Sequence, residues 1–201
     1  HLSLRRQRQM CIRDRYLVER GHQPEGIFAI NTRDGVKHLR VPLTDDISVN
    51  MGQVTDEGES ITAGTNGHIW NGYNISVGNP HAVVFVDDMS EIGQLNEPPV
   101  VRPRDSYPEG VNVEFVKITE GNSIQMRVFE RGSGETRSCG TGTCAVALAA
   151  TLHTKGRLPA TWIINPPGGR LEVSIDGHSN ATLTGPAVLV RDVDISRFLL
   201  E

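Results

Sequence analysis

The chain has 201 residues and a formal net charge of −4 at pH 7, enough for one large domain or two small ones. No apolar run approaches the roughly 20 residues of a transmembrane helix, and nothing resembles a signal peptide, so we expect no membrane partner. Three cysteines, an odd number, argue against a disulfide framework and favour free thiols in a reducing compartment such as the cytoplasm.

The first fifteen residues, HLSLRRQRQMCIRDR, differ in charge from the rest of the chain. They carry five arginines and one aspartate, and the remainder holds 15 basic and 23 acidic residues. An acidic body disfavours nucleic acid as a partner and favours a small molecule. An Arg-rich arm or transit peptide is one interpretation of this segment. It resembles a translated sequencing adapter, however, so we expect residues 1–15 to be non-native and the native sequence to start near Tyr16.

The sequence that follows is typical of short strands separated by turns. Residues 16–21 (YLVERG) indicate the end of a helix capped by Gly21. Strand-like runs then alternate with Gly, Asn and Asp, and Asp-Gly at 34–35 is a hairpin signal. Residues 87–95 predict a short helix and residues 96–107 a loop. Further strands are predicted for VNVEFVKI and SIQMRVFE, and again near the C-terminus.

A helix of about four turns is predicted after Cys139. It is apolar almost all round, which predicts burial among strands. His153 and Lys155 in its last turn, with Gly156 beyond, are typical of a helix end. The order of elements is not an alternating βαβ pattern. The sequence therefore predicts an α+β fold of mainly antiparallel strands around a central helix.

The stretch ERGSGETRSCGTGTCA places the Cys139 thiol at the start of this helix. Backbone N–H groups there lack partners within the helix, and with the helix dipole they bind anions. We expect them to lower the pKa of Cys139 below its free value of about 8.5. The glycines that follow Cys139 would let a substrate carboxylate approach the same N–H groups without a Cβ in the way. This arrangement suits the removal of a proton from a carbon; a buried cysteine beside a tight glycine turn is the alternative.

Other kinds of site fit this stretch less well. It lacks the Gly-Lys-Ser/Thr ending of a phosphate-binding loop. Cys139 and Cys144 do not have metal-ligand spacing, and no histidine pair with zinc-like spacing lies nearby. Cys144 falls inside the apolar helix and is expected in the core. Glu130 and Arg131, at the end of the preceding strand, can hold an ammonium or a carboxylate.

Three more polar residues have two interpretations each. Asn79 and His81 lie in a turn between strands, where they are either exposed or orient a substrate amine and tune a thiol. Asn112 lies in the apolar run VNVEF, and a buried amide there needs a partner. A bound ligand and a backbone contact are both candidates.

Four stretches in this order, NPHAVVFVDD, PEGVNVEFV, RVFERGSGETRSCGTGTCA and PGGRLEVSIDG, resemble the diaminopimelate epimerase family. The resemblance spans about residues 16–199, and the ERGxGET…CGTG string is specific to that family. Proline racemases and phenazine-biosynthesis-type isomerases share the fold. The racemases have a related CGTG string without this ERGSGET lead-in and the Asn-Pro-His triplet.

The resemblance implies a cofactor-free, metal-free enzyme that interconverts LL- and meso-diaminopimelate in lysine and peptidoglycan-precursor synthesis, usually as a homodimer. Two pseudo-symmetric halves, each a set of strands around a helix, hold the substrate between them. One thiol from each half faces the α-carbon. The implied catalytic residues are Cys139 as proton acceptor, Glu130 and His81. The implied substrate-binding residues are Asn79, Asn112, Glu130, Arg131, Gly140 and Thr141.

The family's other thiol lies in a Cys-Gly-Asn-Gly string that this sequence does not contain. Cys11 has no following glycine, and we do not expect it to be the second base. Residues 16–52 and 192–201 are predicted to be the remnant of the first half, and residues 53–191 the second half. We therefore expect little or no epimerase activity from the chain as written. A proline or hydroxyproline racemase and a non-catalytic amino-acid-binding relic are the alternatives.

Overall fold

The computed structural model describes residues 8–32 and 35–189, which form two helices and thirteen strands. Two short 3₁₀ turns, Met89–Ile92 and Arg104–Ser106, lie between strands. The bounds are α1 Arg8–Glu19, β1 Gly26–Thr32, β2 Gly35–Val41, β3 Ile47–Gln53, β4 Thr55–Thr65, β5 His68–Ser76, β6 Pro80–Phe85, β7 Val100–Arg102, β8 Asn112–Ile118, β9 Ser123–Glu130, β10 Gly134–Thr136, α2 Gly140–His153, β11 Ala160–Asn165, β12 Leu171–Ile175 and β13 Asn180–Gly185.

The described strands join into one hydrogen-bonded sheet. Twelve of them follow the order β1-β2-β3-β13-β12-β11-β9-β8-β6-β5-β4-β7, and β10 pairs with β9. The β6–β8 and β9–β11 pairs are parallel and the other described pairs are antiparallel. The predicted α+β class with mainly antiparallel strands is confirmed. In the part of the chain that the structure describes, neither helix is long and apolar enough to cross a membrane.

Helix α2 is the centre of the larger core. Every residue from 141 to 151 is buried, so all sides of the helix are covered. Its side chains share one cluster with Val49 of β3, Met126 of β9, Ile164 of β11 and Val173 of β12. The predicted burial of the helix among strands is confirmed, and the all-round apolar sequence is the cause, because each face needs an apolar partner.

The end of α2 differs in detail from the expectation. The chain leaves the helix through Lys155, whose φ is 55°, so Lys155 rather than Gly156 has the left-handed conformation. Gly156 N–H donates to Thr151 O at 2.8 Å and Lys155 N–H donates to Leu152 O at 3.0 Å. These two bonds satisfy the last helical carbonyls in the manner of a Schellman motif.

Strands β6, β8 and β9 are covered on both faces. One face packs on α2, and the other packs in a second cluster that includes Ala82, Phe115, Phe129 and Ile92 of the 3₁₀ turn. Strands β6 and β8 are parallel, and β9 is antiparallel to β8. The start of β6, the start of β8 and the end of β9 therefore lie together, at the edge of the sheet that is formed by the ends of these strands. Residues at that edge are held by rigid, doubly buried strands.

Three segments differ from the sequence prediction. Strand β4 was not predicted, because TDEGESITAGT is acidic and only Ile61 and Ala63 are buried in it; pairing with β5 and β7 holds it in place. The helix predicted in residues 87–95 is a single 3₁₀ turn. The loop predicted for residues 96–107 contains the short strand β7 and a second 3₁₀ turn.

The N-terminal segment contains helix α1, which begins eight residues before Tyr16. It ends as predicted, with Gly21 at φ 70°. The buried Arg15 guanidinium donates to the carbonyl oxygens of Leu43 at 2.8 Å and Ala187 at 3.1 Å. Whether residues 1–15 are native stays a prediction, and so do the boundaries of the two predicted halves. Strand β3 lies at the predicted boundary near residue 52, and it pairs with β13 of the predicted second half. Residues 190–201, and the Cys11 side chain, lie outside what the structure describes.

Substituting Ile27 by lysine is expected to reduce aggregation without lowering stability. Ile27 is 80% exposed on β1, which pairs with β2 alone among the described strands. A lysine on an edge strand opposes pairing with another chain, and an exposed substitution changes the free energy of unfolding by only about 0.5 kcal/mol. Light scattering and thermal denaturation measure the two effects. The matched control is Ile47→Lys, fully buried on β3, which should prevent folding; unchanged aggregation of the Ile27 variant would contradict the role of this edge.

Candidate active site

The Cys139 thiol caps the start of α2. Its backbone is extended, with φ −131° and ψ 119°, and its side chain is 3% exposed. Gly142 N–H donates to Sγ at 3.4 Å, and Thr141 Oγ1 lies 3.6 Å from Sγ. Thr143 closes the turn by donating from its N–H and its hydroxyl to Cys139 O, at 2.8 and 2.6 Å. The position predicted for the thiol, at the mouth of the buried helix, is confirmed.

The predicted lowering of the Cys139 pKa is wrong for the protein without ligand. Burial raises the pKa of the thiol above its ordinary value, and the carboxylates of Glu130 and Glu114 raise it further. The Gly142 N–H and the Thr141 hydroxyl lower the pKa, but by less. Desolvation and two negative charges thus outweigh the helix start, because a thiolate without water depends on its immediate neighbours.

His81 is fully buried at the start of β6 and has a partner at each ring nitrogen. Nδ1 lies 2.7 Å from Glu114 Oε1, and Nε2 lies 3.1 Å from Asn79 Oδ1. Glu114, on the neighbouring strand β8, is also fully buried. The His81 ring is therefore held by Glu114 of strand β8 and by Asn79 of the turn before β6. Of the two interpretations of the sequence, the exposed loop histidine is not what the structure shows.

Asn112 is 5% exposed at the start of β8, directly opposite His81. Its Oδ1 accepts from the Arg131 backbone N–H at 3.1 Å. This backbone contact is one of the two interpretations that the sequence left open for Asn112. The Asn112 side-chain amide therefore anchors the chain just after β9 through its oxygen.

Glu130 and Arg131 follow one another at the end of β9. The Thr136 hydroxyl on β10 donates to Glu130 Oε1. The Arg131 guanidinium donates to Gly110 O at 3.3 Å and lies 3.7 Å from the Glu109 carboxylate. Both side chains are partly exposed. A carboxylate and a guanidinium at adjacent positions provide partners for an ammonium and a carboxylate, as an amino acid requires.

The sheet brings most of the predicted residues to one edge. Strand pairing places His81 beside Asn112 and the end of β9 beside the start of β8, and Asn79 reaches the same place through its bond to His81. Gly140, at the first turn of α2, donates to no described residue and is partly exposed. The sequence analysis missed Glu114, although a carboxylate inside the apolar run VNVEFV was a signal that could have identified it.

The second described cysteine does not join this site. Cys144 is fully buried inside α2, where burial raises its pKa to about 12. It packs in the main core, as predicted. Within the described residues, Cys139 is thus the one thiol at the helix start.

A family model described as diaminopimelate epimerase matches residues 73–190. The diaminopimelate epimerase of Streptomyces coelicolor is 42% identical over 193 residues, 93% of this chain and 66% of the relative. That of Acidothermus cellulolyticus is 39% identical, covering 93% and 61%, and that of Parabacteroides distasonis 34% identical, covering 90% and 68%. The chain therefore spans about two thirds of the length of these relatives.

Solved structures show the same fold at low sequence identity. A phenazine biosynthesis protein of the PhzF family from Bacillus anthracis has a TM-score of 0.68 at 14% identity and covers 89% of this chain and 71% of that one. A hydroxyproline epimerase from Agrobacterium vitis, with bound trans-4-hydroxy-L-proline, has a TM-score of 0.62 at 17% identity, with 88% and 62% covered. At such identities the likeness concerns the fold alone.

Proposed function

Because the chain belongs to the diaminopimelate epimerase family, we propose that it carries one of the two acid–base groups of a cofactor-free diaminopimelate epimerase. The observation that supports this is the Cys139 thiol at the start of α2, with His81, Asn112 and Glu130 at the adjoining sheet edge. The reaction class is proton transfer at a carbon next to a carboxylate. It serves lysine biosynthesis, and the enzyme is an isomerase.

The substrate would be held by its two charged groups at the reacting centre. Its α-carboxylate fits the first turn of α2, where Gly140 and Thr141 present backbone N–H groups with the positive end of the helix dipole. Its α-ammonium fits the Glu130 carboxylate. The substrate's other polar groups would be bound by Asn79, Asn112 and Arg131. This arrangement would place the α-carbon over Cys139.

Substrate binding would also change the state of the thiol. In the empty site, the Glu130 charge opposes formation of a thiolate. An ammonium paired with Glu130 compensates that charge, so the thiolate is favoured only when the substrate is present. The thiolate takes the α-proton, and the electron pair left on carbon spreads into the carboxylate at the helix start. A second acid on the opposite face returns a proton to carbon and so inverts it.

The second acid would come from the family's other thiol, which the described residues do not contain. The experiment therefore uses a joined protein, in which residues 16–201 of this chain are fused to the part of the Streptomyces coelicolor relative that this chain does not match. Inversion of LL-diaminopimelate and exchange of its α-proton in deuterium oxide are followed by NMR. We expect little or no turnover by the chain alone and turnover of diaminopimelate, not of proline, by the joined protein.

Other outcomes would overturn the proposal. Turnover by the chain alone at the rate of an intact relative would mean that one thiol is enough. A preference of the joined protein for proline would make it a racemase. Binding of diaminopimelate with no proton exchange would make it a binding relic. The matched control for the junction is the intact Streptomyces coelicolor relative, in which the same part is followed by the relative's own C-terminal part.

The family resemblance extends the proposal to assembly and location. We infer a homodimer for the joined protein, a small molecule and not nucleic acid as its partner, and the cytoplasm as its compartment. Light scattering of the joined protein measures its mass. A monomer with full activity would contradict the homodimer.

A further inference from the structure

A buried carboxylate, Glu114, lies between His81 and the start of α2. Its Oε1 is 2.7 Å from His81 Nδ1, and both side chains are fully buried. Its Oε2 is also buried and has no hydrogen-bond partner among the residues the structure describes. A buried carboxylate with one oxygen unpaired is costly, so its presence at this place calls for a physical reason.

The same carboxylate borders the thiol. A methyl group added at Gly142 would collide with Glu114 Oε1 and would lie 3.2 Å from both Glu114 Cδ and Cys139 Cβ. The position of that added methyl group, at the start of α2, is therefore close to the Glu114 carboxylate and to Cys139 at the same time. The space is available because residue 142 has no side chain. Glu114 thus contacts the elements that carry His81 and Cys139 at once.

The hydrogen bonds of His81 fix where its protons lie. Nε2 faces Asn79 Oδ1, which accepts hydrogen bonds, so Nε2 carries a proton. The contact between Nδ1 and Glu114 Oε1 then holds one further proton, either on the ring or on the carboxyl. In both states the pair has no net charge, which is the form that burial favours.

We propose that Glu114 is a positioning residue that holds His81 through a shared proton and sets the charge facing Cys139 at the start of α2. The inference rests on the proposed function, in which Cys139 must exist both as thiol and as thiolate. While Glu114 is ionised its charge opposes the thiolate. When the shared proton moves onto Glu114, that opposition is removed. Glu114 is the member of the pair that borders the Cys139 turn, so the position of the shared proton decides whether Cys139 faces a negative charge, although the net charge of the pair stays the same.

The groups that face this pair come from several elements. The carboxylate of Glu130 on β9 faces Cys139 together with Glu114. The Tyr107 hydroxyl, buried without a partner among the described residues, interacts with Glu114 and Glu59. Asn79 contributes an amide and no charge. These are the charged and titratable groups that face the pair, and burial raises the pKa of Tyr107, so its hydroxyl stays neutral.

The first test leaves Glu114 unchanged. The protein is labelled with nitrogen-15, and the two ring nitrogens of His81 are assigned with a His81→Gln sample as reference. We expect Nε2 to carry a proton and Nδ1 to show the signature of a short hydrogen bond to Glu114. A neutral ring with its proton on Nδ1 and a bare Nε2 would overturn the proposal.

The second test measures the thiol directly. Alkylation of Cys139 by iodoacetamide is followed against pH, and peptide fragmentation separates it from Cys144. In Glu114→Gln, which keeps the shape and removes the charge, the rate at about pH 8 is expected to rise about tenfold, since one unit of thiol pKa changes the thiolate fraction tenfold. Glu135→Gln is the matched control, because Glu135 pairs with Arg127 on the exposed side of β9 and β10.

A conservative variant separates charge from structure. Glu114→Asp keeps the carboxylate, so we expect slow alkylation like that of the parent. Alkylation of Glu114→Asp as fast as that of Glu114→Gln, or of Glu114→Gln no faster than the parent, would overturn the proposal. If Glu114→Gln does not fold, the nitrogen-15 measurement decides. All these measurements are made without substrate, so their failure leaves the proposed function standing, and lack of turnover with the expected thiol profile would count against the function alone.

Discussion

Replacing Cys139 by serine in the joined protein is expected to lower the turnover of diaminopimelate about a thousandfold. A positioned acid or base contributes about 10²–10⁴ to the rate, and a serine hydroxyl does not ionise near neutral pH. Folding should be retained, because serine is among the preferred residues at a helix N-cap and can accept from the Gly142 N–H as the thiol does. The loss would therefore be chemical and not structural.

The measurement compares α-proton exchange and inversion with thermal unfolding of the same variant. Cys144→Ala is the matched control, because it removes the other described thiol, which packs inside α2. We expect this control to keep its turnover while losing some stability, since a small cavity opens in the core. Turnover retained by the serine variant would show that Cys139 is not the base, and an equal loss in a folded Cys144→Ala would show that the loss is not specific to Cys139.

Local pattern was enough to predict the elements that carry the site. The apolar run after Cys139 predicted a buried helix, and the two strands around residues 119–122 were separated by a polar turn that the structure retains. The position of Cys139 followed from the same pattern, because a helix start is fixed by the residues around it. Strand β4 could not be predicted in this way, since its pairing partners and not its own residues determine it.

The electrostatics of the site could not be predicted from local pattern either. The sequence predicted a lower thiol pKa from the helix start alone, whereas burial, together with two carboxylates from neighbouring strands, raises that pKa instead. Glu114 is 25 positions from Cys139 in the sequence, and only the pairing of β6 with β8 brings it to His81. The pKa of a buried group depends on such distant neighbours, so a motif fixes the position of a catalytic group more reliably than its charge.

Substituting Gly142 by alanine is expected to lower the free energy of unfolding, although alanine is the better helix former. The helix propensity alone would favour alanine by about 1 kcal/mol. The added methyl group, however, would collide with Glu114 Oε1 and lie 3.2 Å from Cys139 Cβ. Glu114 cannot move into solvent, because it is fully buried and bonded to His81. Overpacking costs about 1–3 kcal/mol, and loss of the bond to His81 would add to it.

We therefore expect a net loss of about 1–3 kcal/mol, measured by chemical denaturation. Gly177→Ala is the matched control, because no atom lies within 4 Å of its added methyl group. In a Glu114→Asp background the shorter carboxylate leaves room, so the same Gly142 substitution should cost less, and the double-mutant cycle gives the coupling between the two positions. A Gly142→Ala protein as stable as the parent would show that the carboxylate moves freely, and the fixed contact between Glu114 and His81 would then be wrong.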